Sequence, residues 1–245
     1  VRPVLRPAGR SSVPPDNGAA YPWRVRTHIV WDWNGTLLSD MAAVVGASNA
    51  AFATVGLPPL TLEEYRAQYE IPIPLFYERL LGRAPSPAEW LALDDAFHVK
   101  YTELFPSCGL TPGVEALLAR WAAAGRSQSL LSMYAHEQLV PAVDAFGLTP
   151  HFTRVDGRRG ESGGRKAGHL AVHLDALGDG IDRARTVLIG DAADDAEAAL
   201  AAGIKSVLYT GGSHTREKLT HLGVPVVDSL AEAVAVAEEL TGYDG

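Results

Sequence analysis

From Thr111 to the C terminus, short runs rich in Val, Ile and Leu alternate with helical patterns of about a dozen residues. Ser129–Ser132, Phe152–Val155, Thr186–Ile189 and Ser206–Tyr209 read as strands, and a last strand and helix follow from Val224. Helical spacing of apolar residues runs from Val114 towards Gly125, from His136 to Phe146, beyond Lys166, and up to Gly203. Strands that are apolar throughout need cover on both faces, and connections of helix length join them in parallel. The pattern predicts an α/β fold, a Rossmann-like doubly wound parallel sheet.

One further strand lies near the N terminus. Arg26–Trp31 is apolar, reaches a carboxylate at Asp32, and turns through Asn34-Gly35. Asn-Gly alone signals a hairpin, but the residues after it have a helical pattern. Asp40 can N-cap a helix from Met41 to about Val55, with Gly56 as its stop. Thr61 and Glu64 form a capping box, and Pro72 and Pro74 halt the helix it opens. A short helix over Leu75–Leu81 closes at Gly82. A second capping box, Ser86 with Glu89, opens a long helix with Trp90, Leu91, Phe97, Tyr101 and Leu104 on one face. Residues 26–39 and 108–245 are therefore expected to form the sheet core, and 40–107 an inserted α-helical subdomain. Residues 1–25, rich in Pro, Arg and Ser without periodicity, read as a disordered leader.

Composition excludes several classes. The 245 residues carry a net charge of −8, with no basic cluster beside aromatic residues, so nucleic acid is not an expected partner. No apolar run is long enough to span a membrane, and the leader lacks the apolar stretch of a secretory signal. The lone Cys108 permits neither an intramolecular disulfide nor a cysteine zinc site. A cytoplasmic location is expected.

In open parallel sheets ligands bind beyond the carboxyl ends of the strands. Those ends carry Asp32 with Asn34, then Ser132, then Lys166 before the next helix, then Gly190-Asp191 with Asp194 and Asp195. Carboxylates, a hydroxyl and an amine at one sheet edge suit phosphoryl chemistry, which needs hard oxygen ligands for Mg²⁺, a nucleophile and donors for phosphate oxygens. Singly, each has a structural explanation: Ser132 as a turn residue, Lys166 as a solvated charge, and the aspartates as complements to a helix dipole. Their order is what argues for a site.

Asp-Trp-Asn-Gly-Thr-Leu, Leu-Leu-Ser, Lys166 and Gly-Asp-Ala-Ala-Asp-Asp resemble, in order, the four motifs of the haloacid dehalogenase (HAD) superfamily over about residues 26–235. The inserted helices resemble its C1-type cap in a phosphoglycolate phosphatase-like arrangement. The resemblance implies that Asp32 is a nucleophile forming an aspartyl-phosphate. It implies that Trp33, through its backbone N–H, with Asn34, Ser132, Met133 and Lys166, binds the phosphoryl group. Asp32, Asp191, Asp195 and the backbone carbonyl of Asn34 would hold Mg²⁺. Gly35 would permit the turn and Thr36 support it. In the cap, Arg66, Tyr69 and Tyr77 flank the proline-rich break and are candidates for substrate selection.

Phosphatases of this superfamily have Asp where this chain has Asn34, the group that gives and takes the proton. An amide cannot do so, and such catalysis contributes about 10²- to 10⁴-fold. Three consequences are open: a substrate whose leaving group needs little protonation, another group such as His136, Glu137 or a cap residue in the role, or slow turnover. The expectation is a Mg²⁺-dependent phosphatase acting on a small phosphorylated metabolite under a mobile cap. A phosphate-binding regulatory protein with negligible turnover and a phosphotransferase are the alternatives.

Overall fold

The computed structural model describes residues 27–242; the expected leader, residues 1–25, lies outside them. Six parallel strands, β1 (His28–Trp31), β4 (Ser127–Ala135), β5 (Val155–Arg158), β6 (Thr186–Gly190), β7 (Lys205–Tyr209) and β8 (Val226–Val227), form one sheet in the order β5-β4-β1-β6-β7-β8. The minor pair β2 (Leu38–Ser39) and β3 (Gly109–Leu110) is antiparallel.

Both faces of the sheet are covered, which is why its strands read as continuous apolar runs. Ile29 and Trp31 of β1, Leu130 of β4 and Val187 and Ile189 of β6 share one core with α5 (Val114–Ala123), α6 (His136–Ala145) and α10 (Leu230–Leu240). The alternate residues Val30, Leu131 and Leu188 meet α7 (Ala167–Leu177) and α8 (Ala193–Ala202) on the other face. Burying each such side chain contributes about 1.5–3 kcal/mol, so both layers are strongly specified.

Four helices lie between β2 and β3: α1 (Met41–Thr54), α2 (Leu62–Gln68), α3 (Ile73–Leu81) and α4 (Pro87–Leu104). Both expected capping boxes form, Thr61 with Glu64 and Ser86 with Glu89. Phe52, Tyr65, Phe76, Tyr77 and Leu93 give this block a core of its own.

Two local expectations are corrected, and one element is new. Asp40 precedes α1, but its side chain does not cap the helix. The strand expected at Phe152–Val155 lies at Val155–Arg158, where Asp156-Gly157 reads locally as a turn. Pairing of Leu130 with Val155 and of Ser132 with Gly157 overrides that preference. Gly157 is required because a Cβ there would lie 2.6 Å from the His136 Cα. The short helix α9 (Arg216–Thr220) has no counterpart among the expected elements.

The strand order reverses across β1: the chain runs outward through β4 and β5, then returns to β6 on the other side. Trp31 pairs with Leu130 and with Ile189. Asp32 is thus level with Leu131 and Gly190, one residue short of Ser132 on one side and Asp191 on the other. The switch point opens its crevice at this place.

Candidate active site

At that crevice Asp32, Asp191 and Asp195 are buried, with carboxylate oxygens within 4.8 Å of one another. Lys166, the residue before α7, extends its ammonium between two of them, donating to Asp32 Oδ1 at 2.5 Å and to Asp195 Oδ1. Its backbone N–H donates to Asp194 at 2.7 Å, which fixes the entry into α7. Arg165 pairs with Glu197, and its guanidinium lies 3.8 Å from Asp194 Oδ1. Asp195 also ties the loop after β6, accepting from the N–H groups of Asp191 at 3.1 Å and Ala192 at 2.9 Å. Ser213, on the loop after β7, donates to Asp191 Oδ2 through its N–H at 2.5 Å and its hydroxyl at 2.6 Å. Sequence reasoning missed Ser213, because nothing distinguishes it from the other polar residues of the Thr210–Thr215 loop.

Burial pushes the Asp32 carboxyl well up, the Lys166 ammonium pulls it back, and the charges of Asp195 and Asp191 raise it further. Asp191 is pushed up to about 6 by burial and by Asp195. Burial alone would lower Lys166, but the carboxylates of Asp195 and Asp32 outweigh it and hold the ammonium charged. Three buried carboxylates against one ammonium leave negative charge uncompensated, and an all-oxygen donor set of this kind fits a hard divalent cation.

The turn after Asp32 is held by its own side chains. Gly35 has φ +70°, and a Cβ there would lie 2.8 Å from Asp191 Oδ2, so only glycine fits. Thr36 donates to Asp32 Oδ2 at 3.3 Å and lies 3.4 Å from Asp191 Oδ1. The indole of Trp33 is buried against Phe146, away from the crevice.

Asn34 is saturated by protein. Its amide nitrogen donates to Asp40 Oδ2 and to the Tyr101 hydroxyl, each at 2.7 Å, and its oxygen accepts from Ser132 Oγ at 3.2 Å. Tyr101, from α4, donates to Asp40 Oδ2 at 2.6 Å, and the Gly35 N–H donates to Asp40 Oδ1 at 2.8 Å. Burial raises Asp40, against the hydrogen bonds from Tyr101 and Asn34. Sequence reasoning placed Asp40 at a helix cap and Tyr101 on an apolar helix face, and found neither of these partners.

A cavity of about 240 Å³ extends from these residues under the four helices. Ser132, Met133, Tyr69 and Tyr77 line it, as do Asp32, Asn34, Lys166, Asp191 and Asp195. Arg66 does not: its guanidinium donates to the carbonyls of Gly212 and Gly211, each at 2.7 Å, which satisfies it outside the cavity. His136, suggested as an alternative proton carrier, instead accepts from the Gly157 N–H at 3.1 Å.

Among the described residues no helix is long and apolar enough to cross a membrane. Residues 165–233, which include Lys166 and the Asp191–Asp195 segment, match the HAD-hydrolase-like family. A phosphoglycolate phosphatase of Caulobacter vibrioides is 30% identical over 204 residues, 81% of this chain and 85% of that protein. One from Cereibacter sphaeroides is 29% identical over 75% of this chain and 85% of its own length. A haloacid dehalogenase-like family hydrolase from Streptococcus pneumoniae shares the fold, with a TM-score of 0.73 at 17% identity over 86% of this chain and 98% of that one. The sheet order, the carboxylates beyond β1 and β6 and these likenesses agree: the chain belongs to the haloacid dehalogenase superfamily, as a phosphoglycolate phosphatase-like hydrolase.

Proposed function

We propose that the protein is a Mg²⁺-dependent phosphatase that hydrolyses a small phosphate monoester by way of a phosphate carried on Asp32. The observation that supports this most is the Lys166 ammonium, 2.5 Å from Asp32 Oδ1 and bonded to Asp195, among carboxylates within 4.8 Å of one another. Asp32 attacks phosphorus in line with the departing ester oxygen, and water then cleaves the phosphate from Asp32. Lys166 offsets charge between the nucleophile and the incoming dianion. The Ser132 hydroxyl, on turning from the Asn34 oxygen, and the backbone N–H groups of Trp33 and Met133 hold phosphoryl oxygens. Asp32, Asp191, Asp195 and the Asn34 carbonyl would hold the cation, which when bound neutralises the phosphoryl oxygens. Residues 40–107 serve as a cap that excludes water, with Tyr69 and Tyr77 facing the leaving group.

Phosphate release from a panel of monoesters, with Asp32→Asn as the blank, tests this. Release should require Mg²⁺, disappear with a chelator and be absent in the variant. Wild-type release no greater than that of Asp32→Asn on every ester rejects the enzyme reading. If the phosphate on Asp32 accumulates and added alcohols hasten its loss, the protein is a phosphotransferase.

A further inference from the structure

Beyond the phosphoryl site the cavity is walled by rings and branched side chains. Phe97 stacks on Tyr101 with centroids 5.8 Å apart and planes 9° from parallel, and Trp90 meets Tyr77 edge-on at 6.0 Å. Ile73 and Phe76 complete the wall. A leaving group lodged there trades water for apolar surface, which favours a ring over a short polar chain.

The polar groups of the cavity set no limit on the charge carried by such a ring. Asp94 lines it, accepting from Ser162 at 2.5 Å and lying 3.5 Å from His98. Arg158 lines it as well, donating to the carbonyls of Met133 and Gly160 and to no carboxylate. A polar substituent of either sign therefore has a counterpart.

Leaving-group chemistry adds a second constraint. Both amide hydrogens of Asn34 are spent on Asp40 and Tyr101, so the residue offers the ester oxygen neither a transferable proton nor a spare donor. An alkoxide, with a conjugate acid near that of water at about 15.7, leaves poorly without a proton. A phenolate, near 10 as in tyrosine, needs far less help.

Resting on the phosphatase reading of this site, we infer that its substrate is a small aryl phosphate. The ester oxygen is attached directly to an aromatic ring. The aspartate oxygen forms a bond to phosphorus as the phosphorus–oxygen bond to the ring breaks, its electron pair leaving on the phenolate. The phenolate takes its proton from water on release. A water oxygen then attacks phosphorus, the bond to Asp32 breaks with its pair returning to the carboxylate, and the water proton leaves with inorganic phosphate or to solvent.

Binding separates the ligand class from turnover. In wild-type protein with Mg²⁺, benzylphosphonate should bind at least about 10-fold more tightly than methylphosphonate, since its ring is buried. In kinetics, phenyl phosphate should exceed cyclohexyl phosphate, a ring of similar size with an alkoxide leaving group, by about 10²-fold or more in kcat/KM, which reports the step that releases the leaving group. Trp90→Ala should raise KM for phenyl phosphate with kcat kept, and Trp90→Phe should restore most of it. Binding of benzylphosphonate no tighter than that of methylphosphonate, or equal kcat/KM for the two ring esters, overturns the inference. Absence of turnover on every ester with the binding order kept rejects the phosphatase reading and upholds the ligand class.

Discussion

The side-chain amide of Asn34 donates a 2.7 Å hydrogen bond to the carboxylate of Asp40. A carboxylate is thus present beside position 34, but it is 1% exposed and turned to Tyr101 and the Gly35 N–H rather than to the cavity. Restoring an acid at position 34 alone would set two carboxylates at hydrogen-bond distance, where one must keep a proton.

Asn34→Asp should therefore lower Tm and gain little activity. The exchange Asn34→Asp with Asp40→Asn keeps the hydrogen bond with its direction reversed and frees a carboxylate to face the ester oxygen. It should raise kcat on alkyl phosphates by about 10²-fold, the usual contribution of general acid catalysis. Steady-state kinetics of the single and double variants check this, and a single variant as active as the double would deny Asp40 any part in silencing position 34.

Tyr101→Phe removes the hydroxyl that joins α4 to Asp40 and Asn34, leaving buried polar groups with a partner missing. A loss of about 1–3 kcal/mol is expected, read as a lower urea midpoint with unchanged slope.

Divalent metal should stabilise the protein. Mg²⁺ at about 100 times its Kd contributes about 2.7 kcal/mol, seen as a rise in Tm that a chelator reverses. Asp191→Asn removes one of the mutually repelling carboxylates. It should raise Tm without metal and abolish the further rise with it.

The buried His28, held between the hydroxyls of Ser127 and Ser129, is lowered from 6.5 to about 3 by burial and by neighbouring His173. The unfolded chain takes up this proton first as pH falls. Stability should be full above pH 6.5 and decline as pH falls towards 3, by up to about 1.4 kcal/mol per pH unit from this group. Denaturant titrations across that range test it, and His28→Gln should flatten the decline.

How far the sequence reached depended on the distance over which each feature is encoded. Alternating apolar strands announce burial on both faces, and Asp32, Lys166 and Asp191 follow strand ends, so their convergence comes from topology alone. The contact of Tyr101 with Asn34 crosses 67 positions and two kinds of structure, and no local pattern carries it. Arg66 reads as available because a guanidinium beside a cavity usually is. Its capture by two loop carbonyls depends on a backbone path that only folding reveals. Val155–Arg158 shows the converse, a turn-like tetrapeptide drawn into a strand by its neighbour.

That capture of Arg66 links two processes in time. The carbonyls it holds belong to Gly211 and Gly212, and the next residue, Ser213, restrains Asp191 with two hydrogen bonds. On the proposed reading, lifting α2 to let product out would loosen the loop that restrains Asp191, so ion exchange and product escape should share one gate and one rate. Arg66→Ala should shorten the residence time of bound Mn²⁺ in relaxation measurements, and each turnover would then be an occasion on which the ion can be lost.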